Sequence, residues 1–176
     1  MRPLAIVAIG ALTVAVGFAQ TKPSAKHGAK TTPTKAAATA PGGAARTAPS
    51  KDEQNIFDSA NRERAARQLL PLKWNALLAS AARAHAQKMA QAGTISHQFP
   101  GEMDMGMRIR VAGVHFISAA ENVAQGPTAA VIHQEWMNSP PHRENLLDPE
   151  LDSMGVAVVA RNGELFAVQD FALAAQ

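Results

Sequence analysis

The spacing of apolar and polar residues predicts two helices in the middle of the chain. Apolar side chains recur at helical spacing over residues 56–70, with residues 61–64 facing outward, until Pro71 ends the pattern. A second apolar stripe predicts a helix over residues 76–92 that Gly93 closes. This stripe contains Leu77, Leu78, Ala81, Ala82, His85 and Met89.

The pattern continues with shorter helices and changes its period near the end. Helices are predicted over residues 104–112 and 127–138, with a brief helical turn over 145–147. Residues 154–160 and 164–171 are apolar, β-branched runs whose connection contains Asn-Gly, the strongest short-range signal for a hairpin. Helices followed by an antiparallel hairpin predict an α+β domain in which helices cover a small sheet.

Residues 1–19 have the pattern of a secretory signal peptide. Arg2 supplies a positive start, residues 4–16 form an apolar run, and the small residues Gly17 and Ala19 mark a cleavage point. The apolar run is short for a membrane span. We therefore expect a secreted, extracytoplasmic protein, with an uncleaved N-terminal anchor as the alternative.

Residues 20–51 form a basic stretch rich in Ala, Thr, Pro and Lys that we predict to be a disordered linker, because it contains too few apolar side chains to offset its ordering entropy. Six of the 17 basic residues precede Lys51, which leaves 11 against 14 acidic residues and a net charge of −3 for the remainder. Nucleic-acid binding by the domain, residues 52–176, is therefore not expected. The linker either associates weakly with anionic envelope components or acts as a solvated spacer.

Two imidazoles and one carboxylate lie in unusual local sequences within this domain. His97 follows a serine, Glu121 begins Glu-Asn-Val-Ala, and His142 follows Ser-Pro-Pro. The chain has no cysteine, which excludes disulfides, thiol chemistry and a lipid-modified cysteine. His97, Glu121 and His142 are therefore the donors best suited to converge on one metal ion or one polar ligand.

A series of motifs occurs in order over residues 56–172. They include Ser96-His97, Glu121-Asn122-Val123-Ala124, Trp136-Met137-Asn138-Ser139-Pro140, His142-Arg143-x-Asn145-Leu146-Leu147 and Gln169-Asp170-Phe171. The series resembles bacterial, SCP-like extracellular members of the CAP superfamily, which also contains cysteine-rich secretory, antigen 5 and pathogenesis-related 1 proteins. This resemblance implies an α-β-α sandwich around a small antiparallel sheet.

The resemblance also implies a central cavity lined by two histidines and two glutamates. His97, Glu121 and His142 match three of these positions. Ser139 stands where animal and plant members have the second glutamate, as is usual in the bacterial branch. Pro141 departs from the glycine that usually precedes the second histidine, and it stiffens the approach to that histidine.

The implied donor set has the composition of a catalytic zinc site. Two histidines and one glutamate with an open fourth position are typical of such sites. Their spacing is long and contains no His-Glu-x-x-His motif, so the spacing itself adds no support. Zinc or another divalent metal is the cofactor we predict. The alternative is that His97, Glu121 and His142 form a buried polar network that holds loops together.

A nucleophilic site is a further alternative at Ser139. This hydroxyl, with His142 as base and Glu121 as the orienting carboxylate, has the groups that acyl transfer requires. No strained strand-to-helix turn of the Gly-x-Ser-x-Gly kind surrounds it, however. A role as a turn or helix-cap residue is therefore the preferred interpretation.

Arg143 and Asn145 complete the predicted cavity. Arg143 either clamps a ligand carboxylate or pairs with a nearby acidic side chain, the latter being preferred. Asn145 is expected to hydrogen-bond backbone near the cavity. Glu135 is expected to point elsewhere on its helix. His85, on an apolar stripe, is expected to be a satisfied buried residue and not a ligand.

Two functions from different classes follow from these observations. The first is a secreted, non-enzymatic binding module of the CAP type, which acts near the cell envelope and whose cavity holds a divalent metal, a small ligand or a lipid. The alternative is a metal-dependent hydrolase that uses His97, Glu121 and His142. The ligand, the metal and the oligomeric state stay open, because one fold hosts many activities.

Overall fold

The structure is a computed structural model that describes residues 48–175. The predicted signal peptide, residues 1–19, and most of the predicted linker, residues 20–51, lie outside the described residues. The described residues form five helices and four strands. In chain order these are α1 (Lys51–Ala65), β1 (Lys73–Trp74), α2 (Ala76–Ala92), α3 (Met105–Val111), β2 (Phe116–Gly126), α4 (Ala129–Asn138), α5 (Pro140–Leu147), β3 (Ser153–Arg161) and β4 (Glu164–Ala174).

Helix α1 begins one residue before the predicted domain boundary and ends earlier than predicted. Ser50 caps its start, since the Ser50 side chain accepts from the Glu53 amide while the Glu53 side chain accepts from the Ser50 amide. The prediction that the helix continues to residue 70 is wrong. Gln68 adopts a left-handed conformation (φ 59°), and the side chain of Leu70 is 82% exposed.

Arg64 corrects a second expectation, because the apolar pattern placed it outward and it is fully buried. Its guanidinium group donates hydrogen bonds to four backbone carbonyls, those of Leu70, Leu146, Asp148 and Leu151. A guanidinium has five N–H donors, so one side chain satisfies carbonyls from several distant segments. This contact ties the end of α1 to the segment between α5 and β3.

The other predicted helices are confirmed. Helix α2 covers the predicted residues 76–92, because the Asn75 side chain caps its first turn and Gly93 ends it in the left-handed conformation (φ 70°). Leu77, which was assigned to the buried stripe, is 48% exposed. The predicted turn near residue 145 is the second half of α5, whose first residue is a proline.

The four strands form one sheet in the order β1-β3-β4-β2. The predicted hairpin is confirmed, since β3 and β4 are antiparallel and both Asn162 and Gly163 at the turn have positive φ. Strand β2 pairs antiparallel with β4, and the short β1 pairs parallel with β3. Strand β2 was not predicted, because residues 121–124 are all buried and show no alternation.

Helices cover both faces of the sheet, which confirms the α-β-α sandwich. Helices α1, α4 and α5 pack on one face, where Ile56, Trp136 and Leu146 belong to the core. Helices α2 and α3 pack on the other face. There Gly155 of β3 lies so close to α2 that a Cβ atom would be 2.0 Å from the Ala79 nitrogen. Strand β2 is an edge strand between the two helical layers.

Candidate functional site

A charged network surrounds Glu121 on β2. The Glu121 side chain is 3% exposed, its Oε1 lies 2.9 Å from Nδ1 of His97, and its Oε2 accepts a hydrogen bond from Arg108 of α3. Because a carboxylate paired with an arginine only accepts, Nδ1 of His97 is the donor, and its Nε2 is left to meet a ligand. The hydrogen bond to Glu121 raises the pKa of His97 above its ordinary value.

Asp170 on β4 is the cross-strand partner of Glu121. It is fully buried, and no donor within residues 48–175 reaches its carboxyl oxygens. Burial, and then the charge on Glu121, raise the pKa of Asp170 well above its ordinary value. In its neutral form Asp170 can donate to Glu121. The two carboxyl groups then carry one negative charge, opposite the Arg108 guanidinium.

The loop between α2 and α3 carries His97 and is held through its backbone. Nη1 of Arg108 donates to the carbonyl groups of His97 and Met103 at 3.0 and 3.1 Å. His85 of α2 is fully buried, with Nε2 2.6 Å from the Ser96 carbonyl oxygen and Nδ1 3.0 Å from Glu102. His85 is therefore a satisfied buried residue, as the apolar stripe predicted.

Neutral amides hold His142 on the opposite face of the sheet. Nδ2 of Asn122 donates to the His142 carbonyl at 3.1 Å and to Oε1 of Gln169 at 3.2 Å. Asn145 of α5 donates to Oδ1 of Asn122 at 2.9 Å. Burial, and then the charge on His97, lower the pKa of His142. A neutral ring also suits its position in the first turn of α5.

A small groove of about 240 Å³ reaches His142 at the edge of β2. Its lining residues are Ile95, Val123, Ala124, Gln125, Glu135, Trp136, Ser139 and His142. Glu135 is among these lining residues, although the position next to Trp136 predicts that its carboxylate points elsewhere on the helix. Pockets for drug-sized ligands are typically about 300–1,000 Å³, so this groove suits an ion or a small molecule.

The contact between Glu121 and His97 changes the role that we expect for Glu121 in metal binding. Within residues 48–175, no group of three or more histidine, aspartate or glutamate residues is placed to hold a metal ion. Glu121 instead accepts from His97, which matches the common arrangement in which a carboxylate orients a metal-binding histidine through its second nitrogen. Nε2 of His97 is thus left for a ligand, and the charge on His97 reaches His142, although of these two histidines only His142 lines the groove. Metal binding itself stays a prediction.

Residues 57–171 match the profile of the Cysteine-rich secretory protein family, CAP. The chain belongs to this family. It is 32% identical over 118 residues to the uncharacterized protein YkwD of Bacillus subtilis, covering 66% of this chain and 46% of YkwD. It is 31% identical over 110 residues to the membrane protein YlbC of the same organism, covering 60% and 31%. The CAP chain therefore spans less than half the length of these relatives.

Solved structures share the fold. An extracellular, SCP-domain protein from Bacillus anthracis is 32% identical with a TM-score of 0.64, covering 69% of this chain and 40% of that one. An outer surface protein from Borrelia burgdorferi has a TM-score of 0.66 at 22% identity, covering 71% and 94%. Both are extracellular or surface proteins. No helix within residues 48–175 of the CAP chain is long and apolar enough to cross a membrane.

The remaining predicted cavity residues of the CAP domain contact mainly backbone. Ser139 occupies the N-cap position of α5 without a capping side-chain bond, and no hydrogen bond within residues 48–175 joins it to the predicted base or carboxylate. Arg143 donates to the Met137 carbonyl at 3.1 Å, and no ion pair within residues 48–175 joins it to an acidic side chain, contrary to the preferred expectation. Asn145 binds backbone as expected, at the Glu121 carbonyl, 3.4 Å away.

The sequence reasoning missed two members of the charged network, Arg108 and Asp170. A signal for Asp170 was present, because an aspartate in the middle of a largely apolar strand is an unusual place for a charge. The signal for Arg108 was weaker. It lies next to the buried Ile109 in a helix of only seven residues, and nothing else in the local sequence indicates that its side chain is buried. Both residues reach the His97 ring through Glu121.

Proposed function

We propose that this protein is a secreted CAP-domain binding module that holds a divalent metal ion at the edge of β2. The observation that carries the proposal is the 2.9 Å pair between Nδ1 of His97 and Glu121, which leaves Nε2 of His97 for a ligand. Burial and the charge on His97 lower the pKa of His142, which favours the neutral ring that a metal binds. Neutral imidazole nitrogens are ligands that suit zinc. A metal held by two protein ligands keeps open positions for water or for a small polar ligand.

The surroundings of the two histidines support binding more than turnover. Glu121 and Arg108 are buried and paired with each other, so their contacts orient His97. Ser139 has no hydrogen-bonded base among residues 48–175. The signal pattern in residues 1–19 and the extracellular solved neighbours support secretion of the module and a place near the cell envelope.

Zinc titration by calorimetry on the purified chain tests the proposal. The native chain is compared with the double variant His97→Ala/His142→Ala and with His115→Ala, which removes an exposed histidine outside the groove. We expect one-to-one binding that is lost in the double variant and retained in His115→Ala. Absent binding, or equal binding in all three proteins, would contradict the proposal.

The same samples separate the binding module from the hydrolase that was the alternative prediction. Ester and amide substrates are added to the zinc-loaded native chain with and without a chelator. A binding module shows no turnover in either condition. Turnover that the chelator and the double variant both abolish would replace the proposal with a metal-dependent hydrolase.

A further inference from the structure

We infer that His85 and Glu102 form a buried ion pair that positions His97 by holding the peptide group before it. The inference builds on the proposed function, because His97 is one of the two proposed ligands. His85 is fully buried on α2, and the Glu102 side chain is 2% exposed at the end of the loop that carries His97. Neither residue lines the groove at His142.

The hydrogen-bond partners of His85 require both of its ring nitrogens to donate. Nε2 lies 2.6 Å from the Ser96 carbonyl oxygen, which can only accept. Nδ1 lies 3.0 Å from Oε1 of Glu102. Glu102 also accepts from the Phe99 amide at 3.1 Å and lies 3.2 Å from Nζ of Lys88, contacts that favour its ionised form. His85 is therefore the doubly protonated, positively charged imidazolium.

The electrostatics of Glu102 agree with this assignment. Burial opposes ionisation, but the hydrogen bonds from His85 and from the Phe99 amide lower the pKa of Glu102. A buried imidazolium beside a buried carboxylate satisfies the charge of each group. The ion pair joins α2 to both ends of the loop, since Ser96 lies before His97 and Glu102 lies after it.

The contact with Ser96 bears directly on the geometry of His97. The Ser96 carbonyl and the His97 nitrogen belong to one planar peptide group. The following peptide group contains the His97 carbonyl, which accepts from Arg108 at 3.0 Å. Two buried cations therefore hold the two peptide planes that meet at the His97 Cα. Holding both planes sets φ and ψ of His97 and the direction of its side chain toward Glu121.

Apolar packing cannot order this loop by itself, because the loop is largely exposed. Thr94, Ile95, His97 and Gln98 are all exposed or only partly covered, and Phe99 is partly buried against the His85 ring with 6.0 Å between ring centroids. A segment with few buried apolar contacts opens easily unless polar contacts restrain it. The loop thus depends on His85, Glu102 and Arg108 for its order.

A pair of variants at His85 separates its two hydrogen bonds. The amide of Asn in His85→Asn lies near the place of Nδ1 and retains the contact to Glu102, whereas the longer His85→Gln places its amide near Nε2 and retains the contact to Ser96. Amide hydrogen exchange is measured over residues 94–103, together with zinc affinity. Ser153→Ala is the matched control, since it removes a buried hydrogen bond to the Ala172 carbonyl away from this loop.

We expect His85→Asn to speed exchange over residues 94–103 by about tenfold or more and to weaken zinc binding. We expect His85→Gln to restore most of both, and Ser153→Ala to change neither. Equal exchange in the loop for the native protein and a folded His85→Asn would overturn the inference. If His85→Asn fails to fold, Glu102→Gln decides the question by the same exchange measurement.

Two further readouts keep this inference separate from the proposed function. At neutral pH, proton NMR of the native chain should show two ring N–H signals from His85, and only one would overturn its assignment as an imidazolium. If the native chain binds no zinc but His85→Asn still loosens the loop, the proposed function fails and the positioning role stands.

Discussion

The two histidines of the site are held by different chemistry on the two faces of one edge strand. His97 ends a buried charged network that contains Glu121, Arg108 and Asp170. His142 is held through its carbonyl by the neutral amide of Asn122. The protonation of charged groups changes with pH, and a buried charge that loses its partner destabilises the fold strongly. Neutral amides mainly fix geometry. The comparison indicates that one side sets the protonation of the site and the other sets its shape.

Removal of the Arg108 charge should give the largest effect. Arg108→Met leaves the Glu121 carboxylate buried beside Asp170 without its cation, which costs about 3–5 kcal/mol of unfolding free energy. Urea unfolding at pH 7 measures this cost. Arg110→Met is the matched control, because Arg110 is exposed and stacks on the Phe116 ring, a contact worth about 0.5–1 kcal/mol. Similar losses in the two variants would refute the charged-network account.

Substitution of Asn122, which holds the His142 carbonyl, should destabilise the protein less than substitution of Arg108. Asn122→Ala leaves the His142 carbonyl and the Gln169 and Asn145 side chains short of partners, at a cost of about 1–3 kcal/mol. Its unfolding free energy should keep the pH dependence of the native protein, since no charge is removed. A loss larger than that of Arg108→Met, or an altered pH dependence, would reverse the comparison.

Asp170→Asn should stabilise the protein at neutral pH. Because the folded-state pKa of Asp170 is raised, the contribution of this group is complete below the unfolded value of about 3.9 and is lost as pH rises toward the folded value. The advantage of the variant should therefore grow from about pH 4 upward, by about 1.4 kcal/mol for each pKa unit of separation. Urea unfolding of both proteins from pH 4 to pH 8 checks this. A constant difference across that range would contradict the raised pKa.

The smallest effect concerns the titration of the two histidines. NMR titration should show His97 with a pKa above the ordinary value of about 6.5 and His142 with one below it. Stability from His97 is present below about pH 6.5 and is lost as pH rises through its folded pKa. Zinc affinity should rise over the same interval, because a metal binds the neutral ring. Glu121→Gln should return the pKa of His97 toward its ordinary value. An unchanged pKa in this variant would contradict the role of Glu121 in raising it.

The sequence predicted those helices and strands whose ends are marked by capping or turn residues. Helix α2 has a capping Asn75 and a closing Gly93, and the hairpin has Asn162-Gly163 at its turn. Strand β2 has no such signal, since buried polar residues interrupt its apolar pattern and pairing with β4 stabilises it. The burial of Arg64 likewise depends on carbonyls more than 80 positions away, which no local pattern reveals.

The contacts within the site likewise could not be predicted from local patterns. The ordered motifs placed His97, Glu121 and His142 in one domain, and the structure brings His97 and Glu121 into contact. The role of Glu121 could not be read from its motif. Whether this carboxylate binds a metal or orients a histidine depends on Arg108, which reaches it from the preceding helix α3, and no pattern in the sequence shows that this arginine side chain turns inward.

A crystal structure of the zinc-soaked protein, with anomalous data at the zinc edge, tests the central claim most directly. The account predicts one zinc ion about 2.0–2.1 Å from Nε2 of His97 and from a ring nitrogen of His142, while Glu121 still accepts from Nδ1 of His97. Zinc bound directly by Glu121 with Arg108 displaced, or zinc bound only away from these two histidines, would contradict it.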